Sequence, residues 1–181
     1  MASIITHSIA AVIFGKTLTN KLLSKKFWIF VAIFSIIPDA DVVAFKFGIP
    51  YGDFWGHRGF THSFLFSFLV GAMGSGFYLK SFNITKADFW GWTFFFFAIT
   101  SSHTVLDAMT NGGLGVAFFS PFENSRYFLP FRPLEVSPIG VKRFFSTRGV
   151  TILLNEFCYV VFPLLGFLGI KKLYLKTKYA S

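Results

Sequence analysis

The sequence predicts an all-α protein, a polytopic transmembrane helical bundle of about five spans that forms a single domain over residues 1–181. Three observations predict it. Hydrophobic residues make up 54% of the chain and charged residues only 14%, at a mean hydropathy of +0.60. Five apolar segments follow one another, and lysines cluster in alternate connections between them. An ordinary soluble domain has about 25% charged residues, so the composition excludes that class.

The apolar segments cover residues 3–16, 27–47, 63–79, 89–107 and 150–170. The first is short for a bilayer core, which needs about 20 helical residues. Pro38 disfavours helical dihedrals in the residue before it, which predicts a break inside the second segment; alternatively, Asp39 caps a helix that begins at Ala40. Thr61 is expected to cap the third segment, with His62 in its first turn.

Lysines orient the predicted bundle. They lie in the connection 16–26, the turn 80–88 and the C-terminal tail, as Lys16, Lys21, Lys25, Lys26, Lys80, Lys86, Lys171, Lys172, Lys176 and Lys178. Alternating spans place all of them on one side, which the positive-inside rule makes cytoplasmic. The N-terminus is then outside and the C-terminus cytoplasmic. The bias is incomplete, because the outer connections carry Arg58, Arg126, Arg132, Lys142, Arg143 and Arg148.

The 108–149 connection is predicted to be extracytoplasmic. It alternates aromatic residues with arginines and prolines in SPFENSRYFLPFRP, which is typical of a segment at the membrane interface. Two interpretations stay open, an interfacial anchor or a lid over the site.

Composition also limits the partners. The net charge of +9 is explained by membrane topology and contact with the lipid bilayer, so no nucleic-acid partner is needed. The single cysteine, Cys158, excludes an internal disulfide and a cysteine metal cluster. The N-terminal sequence MASIITHS has no basic region before its apolar run, so we expect a retained segment rather than a removed signal peptide.

All four histidines lie in short polar motifs that border apolar sequence. These are His7 in THS, His57 and His62 in GHRGFTHS, and His103 in SSHTVLDAMT. Depth along each predicted helix follows from the rise of about 1.5 Å per residue. By this measure the outer half of the predicted bundle contains these motifs together with Asp39, Asp41 and Asp107. Ionisable groups at membrane depth are costly and usually functional. The sequence therefore predicts one layer of candidate ligands.

The residue types in this layer suit a metal ion. His103 and Asp107 are spaced i, i+4, so they lie on one helix face and can share a cation or form a helix-end hydrogen bond. Mixed imidazole and carboxylate ligands are typical of hydrolytic zinc, manganese or iron sites. The planar fork of Arg58 suits a phosphate or carboxylate of a substrate; alternatively, it bridges one of the acids Asp39, Asp41 and Asp53. Glu156 is either a supporting acid or a partner of Arg148 or Lys142.

The order of these motifs resembles the YdjM-type family of inner-membrane proteins, whose members are described as metal-dependent hydrolases. The matching elements are His7, the PDAD sequence 38–41, the HRGFTHS sequence 57–63, His103 to Asp107 with Thr110 and Gly112, and Pro121-Phe122 with Arg126. The resemblance covers about residues 3–132 and implies a bacterial inner-membrane location.

The same order is similar to the first half of the zinc-dependent phospholipase C superfamily. That resemblance implies His62, His103 and Asp107 as metal ligands, His7 as another, and Asp39 as a ligand or general base. The chain lacks the later histidines and the HxxxE motif that complete that superfamily's cluster. One or two divalent ions are therefore implied, zinc first and manganese or iron as alternatives.

These inferences predict a membrane-embedded metal-dependent hydrolase that acts at the extracytoplasmic leaflet on a phosphoester of a lipid-like, membrane-associated substrate. Residues fall into three predicted roles: His7, Asp39, His62, His103 and Asp107 bind metal, Asp41 and His57 move protons, and Arg58 and Arg126 bind the anionic group of the substrate. Two alternatives stay open, a metal or proton transporter and a non-catalytic metal-binding scaffold.

Overall fold

The computed structural model of the protein describes residues 1–82, 88–138 and 144–179, without the side chains of residues 79–82. Within these ranges the regular structure is helical, and strand-like pairing is limited to two isolated bridges, Thr110 with Leu134 and Val116 with Tyr127. The predicted all-α class is confirmed. Of the basic residues used to orient the bundle, Lys86, Lys142, Arg143 and the side chain of Lys80 lie outside the described part.

Six α-helices occur in the described residues. They are α1 (Ile4–Leu18), α2 (Lys25–Ser35), α3 (Phe64–Phe82), α4 (Phe89–Ala108), α5 (Thr147–Glu156) and α6 (Phe162–Lys178). A 3₁₀ segment, Ile37–Phe47, continues α2, and a 3₁₀ turn, Phe60–His62, precedes α3. A π-helical segment, Phe157–Val161, joins α5 to α6.

The lengths of the helices do not confirm five spans. Among the described residues, the continuous helix Thr147–Lys178 is long and apolar enough to cross a membrane by itself. The bent pair of α2 and the 3₁₀ segment meets the same test when taken together. Helix α1 has only 15 residues, fewer than the roughly 20 that a bilayer core needs.

The second apolar segment breaks beside Pro38, as predicted. Helix α2 ends at Ser35, and the chain bends by 42° before the 3₁₀ segment. The bend turns Asp39 and Asp41 inward, where both are buried. The alternative in which Asp39 caps a helix starting at Ala40 is wrong, because the segment begins at Ile37 without a side-chain cap.

Helix α3 begins at Phe64, two residues later than a cap at Thr61 would place it. Ser63 lies at the cap position, and its Oγ accepts a hydrogen bond from Phe66 N at 3.0 Å. The hydroxyl of Thr61 instead donates to Asp41 Oδ2 at 2.7 Å. The prediction that Thr61 caps this helix was therefore wrong, because the 3₁₀ turn places Thr61 and His62 before the helix rather than in it.

The two ends of the bundle differ in chemistry. Lys171, on α6, donates from Nζ to the carbonyl oxygens of Lys16, Thr17 and Thr19 at 3.2, 2.8 and 3.1 Å. These carbonyls lie at and just beyond the C-terminus of α1, where a cation is favourable. His7 lies near the other end of α1, so the lysines and the histidines occupy opposite ends.

Helices α3 and α4 pack with their backbones in close approach at Gly71. A Cβ added to Gly71 would lie 2.7 Å from Thr93 O and 2.8 Å from Phe97 N, both backbone atoms of α4. Small residues allow this approach between membrane helices. The packing of α4 positions His103 and Asp107, so the helix pair supports the site.

Replacing Gly71 with alanine is expected to destabilise the protein by about 1–3 kcal/mol, since the two backbones must separate. Gly76→Ala is the matched control on the same helix, because no atom lies within 4 Å of an added Cβ. Unfolding measured in detergent should show Gly76→Ala neutral or up to about 1 kcal/mol more stable. Equal stability of the two variants would contradict the packing described.

Candidate metal centre

Histidines and aspartates from four parts of the chain meet in one buried cluster. Helix α1 supplies His7, the 3₁₀ segment supplies Asp39 and Asp41, residues 57–62 supply His57, Arg58 and His62, and α4 supplies His103 and Asp107. Each of these residues is at most 7% exposed. The structure therefore brings the predicted metal and proton-transfer residues together, with Arg58 among them.

Four of these side chains are arranged as metal ligands would be. One ligand atom from each of Asp39, His62, His103 and Asp107 lies within 4.8 Å of the other three. The Nε2 atoms of His62 and His103 are 3.2 Å apart, and Asp39 Oδ1 lies 3.7 and 3.4 Å from them. Asp107 Oδ2 lies 3.5 Å from His62 Nε2. Ligands about 2.0–2.2 Å from a tetrahedral zinc ion are about 3.3–3.6 Å apart, which these spacings approximate.

Asp39 is the acid that most needs a cation. Neither of its carboxylate oxygens has a hydrogen-bond partner among the described residues, although both are buried. A buried carboxylate without a partner is strongly unfavourable. The guanidinium of Arg58 and the N-terminal amine both attract Asp107, and neither bonds to Asp39. A divalent cation would balance the charge of Asp39, so the residues fit such an ion.

Asp41 orients two histidines. Its Oδ1 lies 2.7 Å from His57 Nδ1, and its Oδ2 lies 3.1 Å from His62 Nδ1. The same Oδ2 accepts from Arg58 N at 3.1 Å and from the Thr61 hydroxyl. Because a carboxylate only accepts, each imidazole donates from Nδ1, and a neutral ring then has its lone pair on Nε2. A second metal is not needed to explain Asp41, His57 and His62, since hydrogen bonds account for their short distances.

The Nε2 atoms of these two histidines face different surroundings. His62 Nε2 points at the four-ligand group. His57 Nε2 is buried and has no hydrogen-bond partner in the described part of the chain. The Asp41 carboxylate fixes the orientation of the His57 ring, and burial lowers the pKa of His57. His57 is therefore neutral near pH 7, and its Nε2 can accept a proton.

His7 lies beside the four-ligand group and not within it. Its ring stacks on that of His103, with centroids 3.6 Å apart, and its Nε2 lies 3.3 Å from Asp107 Oδ1. Asp107 Oδ1 also accepts from Ala2 N at 2.8 Å. His7 is therefore placed to support His103 and Asp107, and its predicted role as a ligand stays a prediction.

Arg58 is fully buried and spans the cluster. Its Nε donates to Asp107 Oδ2 at 3.1 Å, and its terminal nitrogens donate to Thr110 Oγ1 and Gly112 O at 2.9 and 3.1 Å. The alternative prediction, in which Arg58 forms a salt bridge with Asp39, Asp41 or Asp53, was wrong, because its guanidinium pairs with Asp107. Arg58 has a positive φ of 64°, a conformation costing about 1–2 kcal/mol for a residue other than glycine, and these bonds hold it.

Arg126 joins the 108–138 segment to the residues before the site. Its guanidinium donates to the carbonyl oxygens of His57, Tyr51 and Asp53 at 2.8, 3.1 and 3.0 Å. Burial raises the pKa of Tyr51, so its phenol stays protonated at neutral pH. Both arginines are thus engaged with protein atoms, and their predicted binding to substrate stays a prediction.

The 108–138 segment lies against the GHRGFTHS motif. Ala117 N donates to Arg58 O at 3.0 Å, and Val116 pairs with Tyr127 through two backbone hydrogen bonds of 2.9 Å. Together with Arg126, these contacts lay the segment over residues 51–58.

Glu156 makes a second buried polar cluster beside the first. It accepts hydrogen bonds from Ser3 N, Ser3 Oγ and Thr6 Oγ1 at 2.6, 2.5 and 2.7 Å. The expected partner Arg148 is not among these donors, and Lys142 lies outside the described residues.

Sequence reasoning missed Ser3, Thr6 and Thr61 as partners of buried acids. These three residues lie inside or beside the histidine motifs. That proximity is the sequence feature that could have indicated them as hydrogen-bond donors to the buried acids.

The chain matches a known family of membrane proteins. A model of the YdjM inner membrane protein family matches residues 1–176. The chain belongs to the YdjM inner membrane protein family. It is also 32% identical over 163 residues to the inner membrane protein YbcI of Escherichia coli (strain K12), covering 90% of this chain and 92% of that protein. No solved structure matches.

Family membership confirms the resemblance seen in the sequence, and it locates the protein in the inner membrane. The helix Thr147–Lys178 is consistent with that location. The metal-ligand geometry is an independent observation of the structure, since neither name mentions a metal.

Asp39→Asn should weaken zinc binding by at least about 100-fold, because it removes the unpartnered charge from the group. Asp107→Asn should weaken it by only about 10-fold, as for a residue that supports other ligands, since each Asp107 oxygen already accepts a hydrogen bond. Competition with a chromophoric chelator measures both values.

Glu123→Gln is the control for these variants, because it neutralises an exposed acid outside the cluster. It should bind zinc as the unmodified protein does. Indistinguishable affinities for Asp39→Asn and Glu123→Gln would contradict the assignment of Asp39.

Proposed function

We propose that the protein is a membrane-embedded, metal-dependent hydrolase that cleaves a phosphoester of a lipid at the extracytoplasmic leaflet. The observation that carries this proposal is the group of Asp39, His62 and His103, whose ligand atoms are spaced as those of a metal site would be and whose carboxylate accepts no hydrogen bond. The buried and unpartnered His57 Nε2 beside this group supplies a base.

The proposed topology keeps five crossings, with α2 and the 3₁₀ segment forming one bent crossing and Thr147–Lys178 forming the last. Its support is the separation of charges along the bundle. Lys16 and Lys171 meet at the end of α1 opposite His7. Because basic residues favour the cytoplasmic side, the cluster would lie at the outer-leaflet end of the bundle.

Three ligands are proposed to hold the ion most strongly: Asp39, His62 and His103. Asp107 lies at the fourth corner, but Arg58 and Ala2 N already donate to its oxygens. Hydrolytic zinc sites use three protein ligands and leave a position for water. Asp39, His62 and His103 would be the three protein ligands here, and the position of Asp107 would be the one open to water.

A bound divalent ion supplies Lewis acidity, which lowers the pKa of water and polarises the phosphoryl group. In the reaction, the water oxygen forms a bond to phosphorus and the ester P–O bond breaks. His57 Nε2 takes the proton of the water and returns a proton to the departing alcohol. Asp41 holds the opposite nitrogen and stabilises the imidazolium that forms. Arg58 keeps Asp107 in place by pairing with its charge.

Lipid is the proposed substrate class because the site lies in a membrane protein and resembles the ligand order of zinc-dependent phospholipases. The ligands are closed off from solvent in this structure, with the 108–138 segment lying against residues 51–58. We assign that segment as the lid, since breaking the Arg126 hydrogen bonds to His57, Tyr51 and Asp53 would release it from the site.

A second candidate is a non-catalytic metal-binding scaffold. The complete burial of His62 and Asp107 favours it, because structural zinc sites are closed by four protein ligands. The two candidates differ in whether Asp107 gives way to water, and therefore in turnover.

His57→Gln separates metal binding from catalysis, because glutamine can donate to Asp41 but offers no basic nitrogen. The zinc content should stay unchanged, and hydrolysis should fall by about 100-fold or more. The assay uses zinc-loaded protein in lipid nanodiscs with a panel of phospholipids and isoprenoid phosphates. Asp53→Asn, which changes an exposed acid of the same connection, is the control and should keep full activity.

Two results would overturn the hydrolase proposal. Protein that holds zinc but cleaves none of these lipids would be a scaffold. Protein in liposomes that moves zinc or protons across the bilayer, without cleaving lipid, would be a transporter.

A further inference from the structure

The side chain of Tyr51 lies at the edge of the metal centre. Its ring meets that of His57 edge-on, with centroids 5.1 Å apart, and packs against Phe45 with centroids 6.2 Å apart. Its backbone carbonyl accepts a hydrogen bond from Arg126. These contacts fix the ring and leave the hydroxyl without a hydrogen-bond partner among the described residues. Because the side chain is only partly buried, a ligand from outside the protein can reach this hydroxyl.

Arg58 has N–H groups that no described residue uses. A guanidinium carries five N–H donors. Three of them bond to Asp107 Oδ2, Gly112 O and Thr110 Oγ1. Each terminal nitrogen therefore keeps one N–H that donates to nothing in the described part of the chain. An anionic oxygen is a strong acceptor for such a group.

Gly113 keeps the space between these two donors open. A Cβ at this position would lie 2.8 Å from Tyr51 Oη and 2.9 Å from Arg58 Nη1, so the side chain of any other residue would fill the space. Gly113 is exposed and has a positive φ of 90°, a conformation that favours glycine. The phenol hydroxyl and the guanidinium therefore border one gap beside an exposed residue.

The charges around this gap favour an anion. Arg58 borders the gap itself, and the guanidinium of Arg126 lies 5.7 Å from the centre of the Tyr51 ring. All three hydrogen bonds of Arg126 go to neutral carbonyl oxygens. An anion with several oxygen acceptors would satisfy the hydroxyl and the free N–H of Arg58 together, whereas a cation would meet two guanidinium groups.

We propose that Tyr51 binds the phosphate group of the substrate. Its hydroxyl donates to one phosphate oxygen, and the free N–H of Arg58 Nη1 donates to another. The bound phosphate then lies beside His57, whose ring contacts that of Tyr51. The inference rests on the proposed function for the identity of the anion, and it adds a substrate-binding residue that lies outside the histidine motifs.

Tyr51→Phe tests the proposal, because it removes the hydroxyl and keeps the ring against His57. The full chain is loaded with zinc in dodecyl maltoside, a detergent without phosphate, and titrated with inorganic phosphate in a calorimeter. The variant should bind phosphate about 10-fold or more weakly than the unmodified protein, as expected when a hydrogen bond to a charged group is lost. Its zinc content should stay unchanged.

Tyr127→Phe is the matched control. It removes a tyrosine hydroxyl that donates to Glu123 at the surface of the 108–138 segment. This variant should bind phosphate as the unmodified protein does.

Gly113→Ala tests the same gap independently of Tyr51. The added methyl group would occupy the gap, so phosphate binding should weaken at least as much as in Tyr51→Phe. Gly48→Ala is its control, because Gly48 also has a positive φ, of 74°, but no atom lies within 4 Å of an added Cβ. It carries similar backbone strain without the obstruction and should keep full phosphate affinity. If Gly113→Ala does not fold, Tyr51→Phe still decides the proposal.

Equal phosphate affinities of Tyr51→Phe and the unmodified protein would overturn the proposal, as would zinc-loaded protein that binds no phosphate. Lipid hydrolysis with the same kcat/KM in both proteins would also contradict the role of Tyr51, while supporting the hydrolase. Phosphate binding that depends on Tyr51, in a protein that cleaves none of the lipids, would contradict the hydrolase alone and support the anion site.

Discussion

Three carboxylates buried beside one another impose the constraint on which the site depends. Hydrogen bonds from His57, Thr61 and His62 satisfy Asp41, and the guanidinium of Arg58 balances Asp107. Asp39 has neither kind of partner. The cost of an unpaired buried charge is several kcal/mol, and a cation held between Asp39 and the Nε2 atoms of His62 and His103, which lie 3.2 Å apart, would offset it.

Irregular backbone brings these groups together. The bend after α2 and the 3₁₀ segment turn both acids of PDAD inward, and the 3₁₀ turn before α3 points the two ring nitrogens of His62 at different acids. Regular helices alone would leave these side chains at separate helix ends. In a membrane, such backbone is tolerated where protein buries it, and the 108–138 segment lies over this region.

The sequence predicted most of the helices and the membership of the cluster, because apolar segments and histidine motifs are local signals. Pro38 correctly indicated the break. The partners were harder to predict. Arg58 pairs with Asp107, 49 residues away, and Glu156 with Ser3, 153 residues away, and no local pattern specifies contacts at such separations. Thr61 was assigned to a helix cap because a 3₁₀ turn before α3 has no distinct sequence signature.

X-ray absorption spectroscopy of the zinc-loaded protein tests the central claim most directly. We expect only nitrogen and oxygen atoms bonded to zinc, at about 2.0–2.1 Å, with additional scattering from the more distant atoms of two imidazole rings. His103→Ala should remove the contribution of one imidazole, while Cys158→Ser should change nothing, since Cys158 is exposed and outside the cluster. A protein that retains no zinc, or a zinc shell without imidazole scattering, would contradict the account.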